Sequence, residues 1–253
     1  MIIYLLVALF ATMIGASAGL GGGVIIKPVL DTLGDFNVVT ISILSSITIL
    51  SMAAVATIRQ ILKGFKITRE IFTVALGATF GGILGSVLFA YVRPAFRPDT
   101  ITIAQSAIMI LLLLLCLFYN RIPQMRIKSV WTECIIGGFL GMLGSFLGIG
   151  GGPINVAALI IVMGVDLKKS TKISIFIILF SQIAGIATKA ANGVFAHAED
   201  LSMLYVMIPA AIIGGLIGAQ LNIVLSDNKI RLLYKGTVIL VIAVCIYNIS
   251  VLI

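Results

Sequence analysis

The sequence predicts an all-α integral membrane protein of eight hydrophobic segments, arranged as two homologous repeats of four, with the Gly-rich first segment of each repeat broken or re-entrant. Three observations lead there. The 253-residue chain is 60% hydrophobic and 10% charged, with a mean hydropathy of +1.23, whereas a soluble domain carries roughly 25% charge. Its uncharged runs approach the ~20 residues that cross hydrocarbon once. A Gly-rich element near the start also recurs, at constant spacing, near the middle.

The uncharged runs occupy residues 1–26, 38–58, 71–92, 101–119, 134–165, 173–188, 201–226 and 236–253. The first has no basic n-region, and its glycines recur internally, so residues 1–30 read as part of the mature chain and not as a signal peptide. It contains "GASAGLGGGVIIKP" at 15–28, and the fifth run contains "GSFLGIGGGPINVA" at 144–157. At an offset of 129, Gly15, Gly19, Gly21, Gly22 and Gly23 meet Gly144, Gly148, Gly150, Gly151 and Gly152. Ser45 meets Ser174 and Gly64 meets Gly193 at the same offset. After a four-residue insertion, Gly81, Gly82 and Gly85 meet Gly214, Gly215 and Gly218, and Tyr119-Asn120 and Tyr247-Asn248 close the two halves. The chain thus divides into repeats at 1–120 and 121–253 that form one transport domain. Internal duplication of this kind is typical of secondary transporters, whose substrate site lies between the repeats.

The fifth run, 134–165, is too long for one span and short of the roughly 40 residues two would need. A re-entrant hairpin fits: one half-helix descends to the midplane, GxGGG turns, and a second half-helix returns. Basic residues test the idea. If all eight runs cross, Lys and Arg divide almost evenly between the faces. If both Gly-rich runs enter and leave on one side, one face holds Arg59, Lys63, Lys66, Arg69, Arg121, Arg126 and Lys128 together with the basic residues of 168–172 and 229–235. Only Lys27, Arg93, Arg97 and Lys189 then remain opposite, giving thirteen against four. This is the asymmetry of a cytoplasmic face, and it makes the repeats opposite in orientation. The competing arrangement is eight full spans with parallel repeats.

Several function classes drop out. The net charge of +8 sits in short clusters between oily runs, which argues for cytoplasmic loops and against nucleic acid. "GASAG" matches the G-x-S-x-G of serine hydrolases, but that motif needs a strand-to-helix turn and a base. The one histidine, His197, lies in a polar loop, and the second copy has Phe146 where the first has Ser17. No catalytic residue, cofactor or metal site is expected. "GLGGGVIIK" lacks phosphate-loop spacing. The pairs Gly15/Gly19, Gly81/Gly85, Gly137/Gly141, Gly144/Gly148 and Gly214/Gly218 read as helix-packing faces. The three isolated cysteines read as packing residues.

The candidate site grows from the glycine triplets Gly21, Gly22, Gly23 and Gly150, Gly151, Gly152. A helix that starts after such a triplet presents free N–H groups and a positive dipole end at the midplane, suited to an anion. Pro153 sits at a favoured first-turn position. Asn155 and the repeat-matched Ser45 and Ser174 supply further polar groups inside the spans. Lys27 has two readings, as an anion ligand or as a residue snorkelling to the headgroups, with Asp31 as a partner one turn on. No carboxylate falls within an uncharged run, so none stands out as a proton or sodium carrier.

These residues resemble the TauE/SafE family of sulfite and organosulfonate exporters over essentially the whole chain. "GLGGGVIIKPVL" matches the family's first motif and "GIGGGPINVAAL" its second. The family's Thr-Ser pair appears here as Leu44-Ser45 and Ile173-Ser174, so only the serine carries over. The resemblance implies a multi-pass transporter in the inner (plasma) membrane that exports a small anion such as sulfite or a short organosulfonate by alternating access at a midplane site. Its partners are then the anion and the lipid bilayer, and a homo-oligomer is allowed. A channel-like anion conduit and a non-transporting membrane assembly factor are the alternatives.

Overall fold

The computed structural model describes residues 1–127 and 129–252, without the side chain of Asn120. Lys128, counted above among the basic loop residues, and Ile253 lie outside the described residues. The described residues form ten α-helices, three short 3-10 turns and no strand. The helices are α1 (Ile2–Ala18), α2 (Gly23–Leu33), α3 (Val38–Leu62), α4 (Arg69–Val92) and α5 (Pro98–Leu117), then α6 (Val130–Leu147), α7 (Gly152–Met163), α8 (Leu167–Ala191), α9 (Leu204–Val224) and α10 (Asp227–Leu252). Eight oily runs become ten helices because each Gly-rich run breaks in two. Seven helices are long and apolar enough to cross a membrane, while α1 and α7 are apolar but shorter. Exposed Leu, Ile and Phe side chains cover the outer helix faces, and Tyr91, Trp131 and Tyr205 stand exposed near helix ends, where membrane-interface aromatics sit.

The breaks follow from backbone chemistry. Gly19, Gly21 and Gly22 have φ of 72°, 80° and 69°, and Gly148, Gly150 and Gly151 have φ of 68°, 77° and 74°. Only glycine adopts this region at little cost. The arms of each broken run are unequal: 17 and 11 residues for α1 and α2, 18 and 12 for α6 and α7. The first turn falls late in its run, at 19–22 of 1–26, and α6 begins at Val130, ahead of the uncharged stretch 134–165, while α7 ends at Met163.

Close glycine contacts bind the helices into one body. α4 packs along α6, and α9 along α1. A Cβ on Gly81 would stand 1.9 Å from the Gly138 carbonyl oxygen, and one on Gly137 2.0 Å from that of Val74. Gly218 makes the corresponding approach to Met13 on α1, at 2.2 Å. These glycines serve helix packing, as their spacing predicts.

Some positions 129 residues apart make matching contacts. Asn37 caps α3 by accepting from the Thr40 N–H, and Asp166, 129 positions on, caps α8 by accepting from the Lys169 N–H. The loop after α3 meets the start of α8 in one cavity lined by Lys63, Lys66, Lys168 and Lys169. The turn Val194–His197 packs at the other end of α3, where the Asn37 amide donates to the His197 carbonyl. At about 1.5 Å per residue, the 25 residues of α3 hold these ends roughly 37 Å apart. Loops 59–69 and 166–172 thus share one end of the molecule, and 192–200 lies at the other.

Candidate functional site

The two glycine turns meet back to back at the centre of the fold. A Cβ on Gly23 would fall 2.6 Å from the Ile149 carbonyl oxygen, and one on Gly152 1.9 Å from that of Leu20. Leu20 and Ile149, like Gly23 and Gly152, are 129 residues apart, so each turn presses on the other in the same way. Ile49 and Ile178, again equivalent, pack against the outer edges of the triplets. Gly22 and Gly151 are the N-cap residues of α2 and α7, and no side chain caps either helix. Two buried helix N-termini therefore open at this crossing, each with the positive end of its dipole.

Ser45 and Ser174 join the halves. The Ser45 hydroxyl donates to the Gly148 carbonyl at 3.0 Å, and the Ser174 hydroxyl donates to the Gly19 carbonyl at 2.7 Å. A hydroxyl has one proton, and here both are committed to backbone oxygens. In this conformation the serines brace the turns instead of presenting a donor to a ligand.

Asn155, in the first turn of α7, is fully buried, and neither its amide oxygen nor its amide nitrogen has a protein partner. Its oxygen stands 3.0 Å from where a Cβ on Gly151 would be. This places two N–H donors and one acceptor beside the second triplet.

Lys27 does not snorkel. It is 1% exposed, and its ammonium donates to Asp31 at 3.0 Å, within α2. The pair sits inside the protein, so Asp31 is a buried carboxylate although it lies beyond the uncharged run. The Lys27 stem passes Gly148: its Cδ and Cε would lie 3.6 and 3.7 Å from a Cβ there. The Ser42 hydroxyl oxygen is 3.1 Å from the same point.

That hydroxyl leads to a residue sequence reasoning missed. Lys189 is 1% exposed. Its ammonium donates to the Ser42 and Ser46 hydroxyls at 2.8 and 2.9 Å and lies 5.8 Å from the centre of the Phe89 ring. No carboxylate lies within salt-bridge distance of it: the ion pairs among the described residues are Lys27–Asp31 and Arg97–Asp99. Treating Lys189 as a loop residue equated charge with the end of a span, yet α8 continues to Ala191. A signal was present. Ser174, Ser181, Gly185 and Lys189 recur at intervals of seven and four, which marks one helix face.

All ten sequence-predicted residues thus gather at the two turns, with Lys189, Ser42 and Ser46 added. Two buried lysine ammonium groups and two helix N-termini lie at or beside this crossing, and Asp31 is the carboxylate partner of Lys27 alone. Such a centre favours a small anion: N–H dipoles and ammonium groups supply charge-assisted hydrogen bonds, which are short and strong.

An all-helical fold with seven span-length apolar helices around a buried polar centre defines a multi-pass membrane protein. The chain matches the family described as "Sulfite exporter TauE/SafE" over residues 4–246 and belongs to that family. It is also 25% identical over 276 aligned residues to "Probable membrane transporter protein YunE" of Bacillus subtilis (strain 168), covering 98% of this chain and 97% of the relative. No solved structure matches it.

Proposed function

We propose that this protein exports a small oxyanion, sulfite or a short organosulfonate, by alternating access at the crossing of the two glycine turns. The observation that carries the proposal is Lys189, a buried ammonium held by two hydroxyls and an aromatic face with no carboxylate beside it. Burying a charge without an opposite one costs several kcal/mol, and a bound anion offsets that cost. Sulfite and sulfonate oxygens suit the donors at hand: the Lys189 ammonium, the Asn155 amide and the N–H groups that open α2 and α7. Lys27, tied to Asp31, contributes field and shape near Gly148. The family description supports the substrate class.

The alternating-access reading draws on the matched contacts of the two halves. Pairs such as Ser45–Gly148 and Ser174–Gly19 are related by the repeat. The placement of loops 59–69 and 166–172 at one end and 192–200 at the other supports inverted repeats over eight full spans with parallel repeats. Rocking one repeat against the other around a fixed centre is the motion such folds use. Export is downhill for an anion at interior-negative potential, by about 2.3 kcal/mol per charge per 100 mV.

A proteoliposome flux screen tests the proposal, using sulfite, sulfate, thiosulfate, sulfoacetate and a carboxylate panel. Saturable flux of sulfite or a sulfonate, lost in Lys189→Met, is the expected result. Flux of none of these anions above empty liposomes would overturn it.

A further inference from the structure

Two cavities of opposite charge lie at opposite ends of α3, and we propose that they give the carrier's two faces different affinities: a lysine-lined mouth loads the anion, and a carboxylate-lined mouth discourages its rebinding. This inference rests on the anion-transport reading above.

The lysine mouth, of about 390 Å³, is lined by Lys63 and Lys66 from the loop after α3 and by Lys168, Lys169 and Lys172 from the first turns of α8. The Lys168 ammonium donates to the Ile223 and Leu225 carbonyls at the end of α9, both at 3.0 Å. The other four lysines form no salt bridge among the described residues. Asp166 is the one carboxylate in the lining, and it accepts from the Lys169 N–H as the α8 cap. The net field at this mouth is positive.

The opposite mouth, of about 440 Å³, is lined by Asp31, Asp35, Asp99 and Glu199, with no lysine or arginine in its wall. Asp31 is the most buried of the four. Its side chain is 4% exposed, with one oxygen on Lys27 and the other, Oδ1, without a partner. The cavity thus borders Asp31, the partner of the Lys27 whose stem passes Gly148, while Lys27 itself is not part of its wall. Glu199 accepts from the Asn37 N–H at 3.1 Å, and Asp99 faces Arg97 at 3.4 Å in an exposed pair. The neighbouring Asp200, which lines a separate cavity, accepts the hydroxyl and the N–H of Ser202, which hold its carboxyl below the usual range.

A cleft lined by one sign of charge raises the local concentration of the opposite ion and its on-rate by about 10 to 10³. An anion is concentrated at the lysine mouth and depleted at the carboxylate mouth. Detailed balance limits the consequence: at zero potential an uncoupled carrier has the same Vmax/KM in both directions. The mouths therefore separate the two KM values, low on the lysine face and high on the carboxylate face, with Vmax separated in proportion. Such a carrier loads at low internal concentration and is poorly inhibited by product outside.

The experiment is sulfite flux from each face of proteoliposomes of known sidedness, at low and at physiological salt. At low salt, KM on the lysine face should be at least about tenfold below that on the carboxylate face, and salt should draw the two together. Lys63→Gln with Lys66→Gln and Lys169→Gln should raise KM on the lysine face alone. Asp99→Asn with Glu199→Gln should lower it on the carboxylate face alone. Intact flux with equal, salt-insensitive KM values in wild type would overturn the inference while leaving anion transport standing. Absence of anion flux in wild type would overturn both.

Discussion

Replacing Lys189 with Met separates a ligand from a structural brace. Methionine fills similar volume with no charge, and removing a buried ion in favour of a well-packed apolar side chain is often neutral or stabilising. The change leaves the Ser42 and Ser46 hydroxyls free to turn to their own helix backbone, as Thr48 and Ser51 already do in α3. Thermal stability of the empty protein should therefore hold or rise. Binding should suffer. A hydrogen bond to a charged group is worth about 1.5–3 kcal/mol, and each 1.4 kcal/mol is about tenfold in affinity, so apparent affinity for sulfite should fall roughly 10- to 150-fold. Thermal melting with and without sulfite reads both quantities on one sample, and flux gives KM independently. A mutant that melts earlier but keeps wild-type affinity would show that Lys189 only ties α8 to α3, and the assignment of the site would fail.

Other substitutions probe the centre in turn. Gly152→Ala should prevent correct folding, since its Cβ would lie 1.9 Å from the Leu20 carbonyl oxygen, whereas Gly236→Ala, with open space around it, should be silent in melting and expression. Lys27→Met alone should cost about 3–5 kcal/mol by stranding the Asp31 carboxylate, and Lys27→Met with Asp31→Asn should recover most of it, as a double-mutant cycle would show. Ser45→Ala and Ser174→Ala should each cost about 1–3 kcal/mol by leaving a buried glycine carbonyl unsatisfied, with similar losses because the two sites are equivalent. Single cysteines at Lys66 and Lys169 should label from one side of the membrane and one at Phe195 from the other; labelling of the first two from opposite sides would remove the inverted arrangement.

The sequence showed the turns clearly because glycine at φ near +70° has few substitutes and because the duplication printed the pattern twice. It also located the serines, since an offset of 129 carries Ser45 onto Ser174. What it obscured was depth. Lys189 and Asp31 each lie just past an uncharged run, and a rule that ends a span at the first charge puts them in water. The helices run on, α8 to Ala191 and α2 to Leu33, and tertiary packing buries both side chains. The role of the serines was hidden as well. Their spacing marks them as equivalent, but only the fold shows each hydroxyl reaching the opposite half's turn. A leucine at Gly22 would do more than fill an anion's place: a Cβ there meets the α1 backbone at Ala11 and Thr12 at 3.1–3.2 Å, so the substitution would part α1 from α2.

Counterflow of labelled sulfite tests the central claim most directly. Proteoliposomes loaded with unlabelled sulfite should transiently accumulate labelled sulfite above equilibrium, with uptake that saturates and disappears in Lys189→Met. Uptake that rises linearly with concentration, with no overshoot in wild type, would contradict a carrier with a single alternating site.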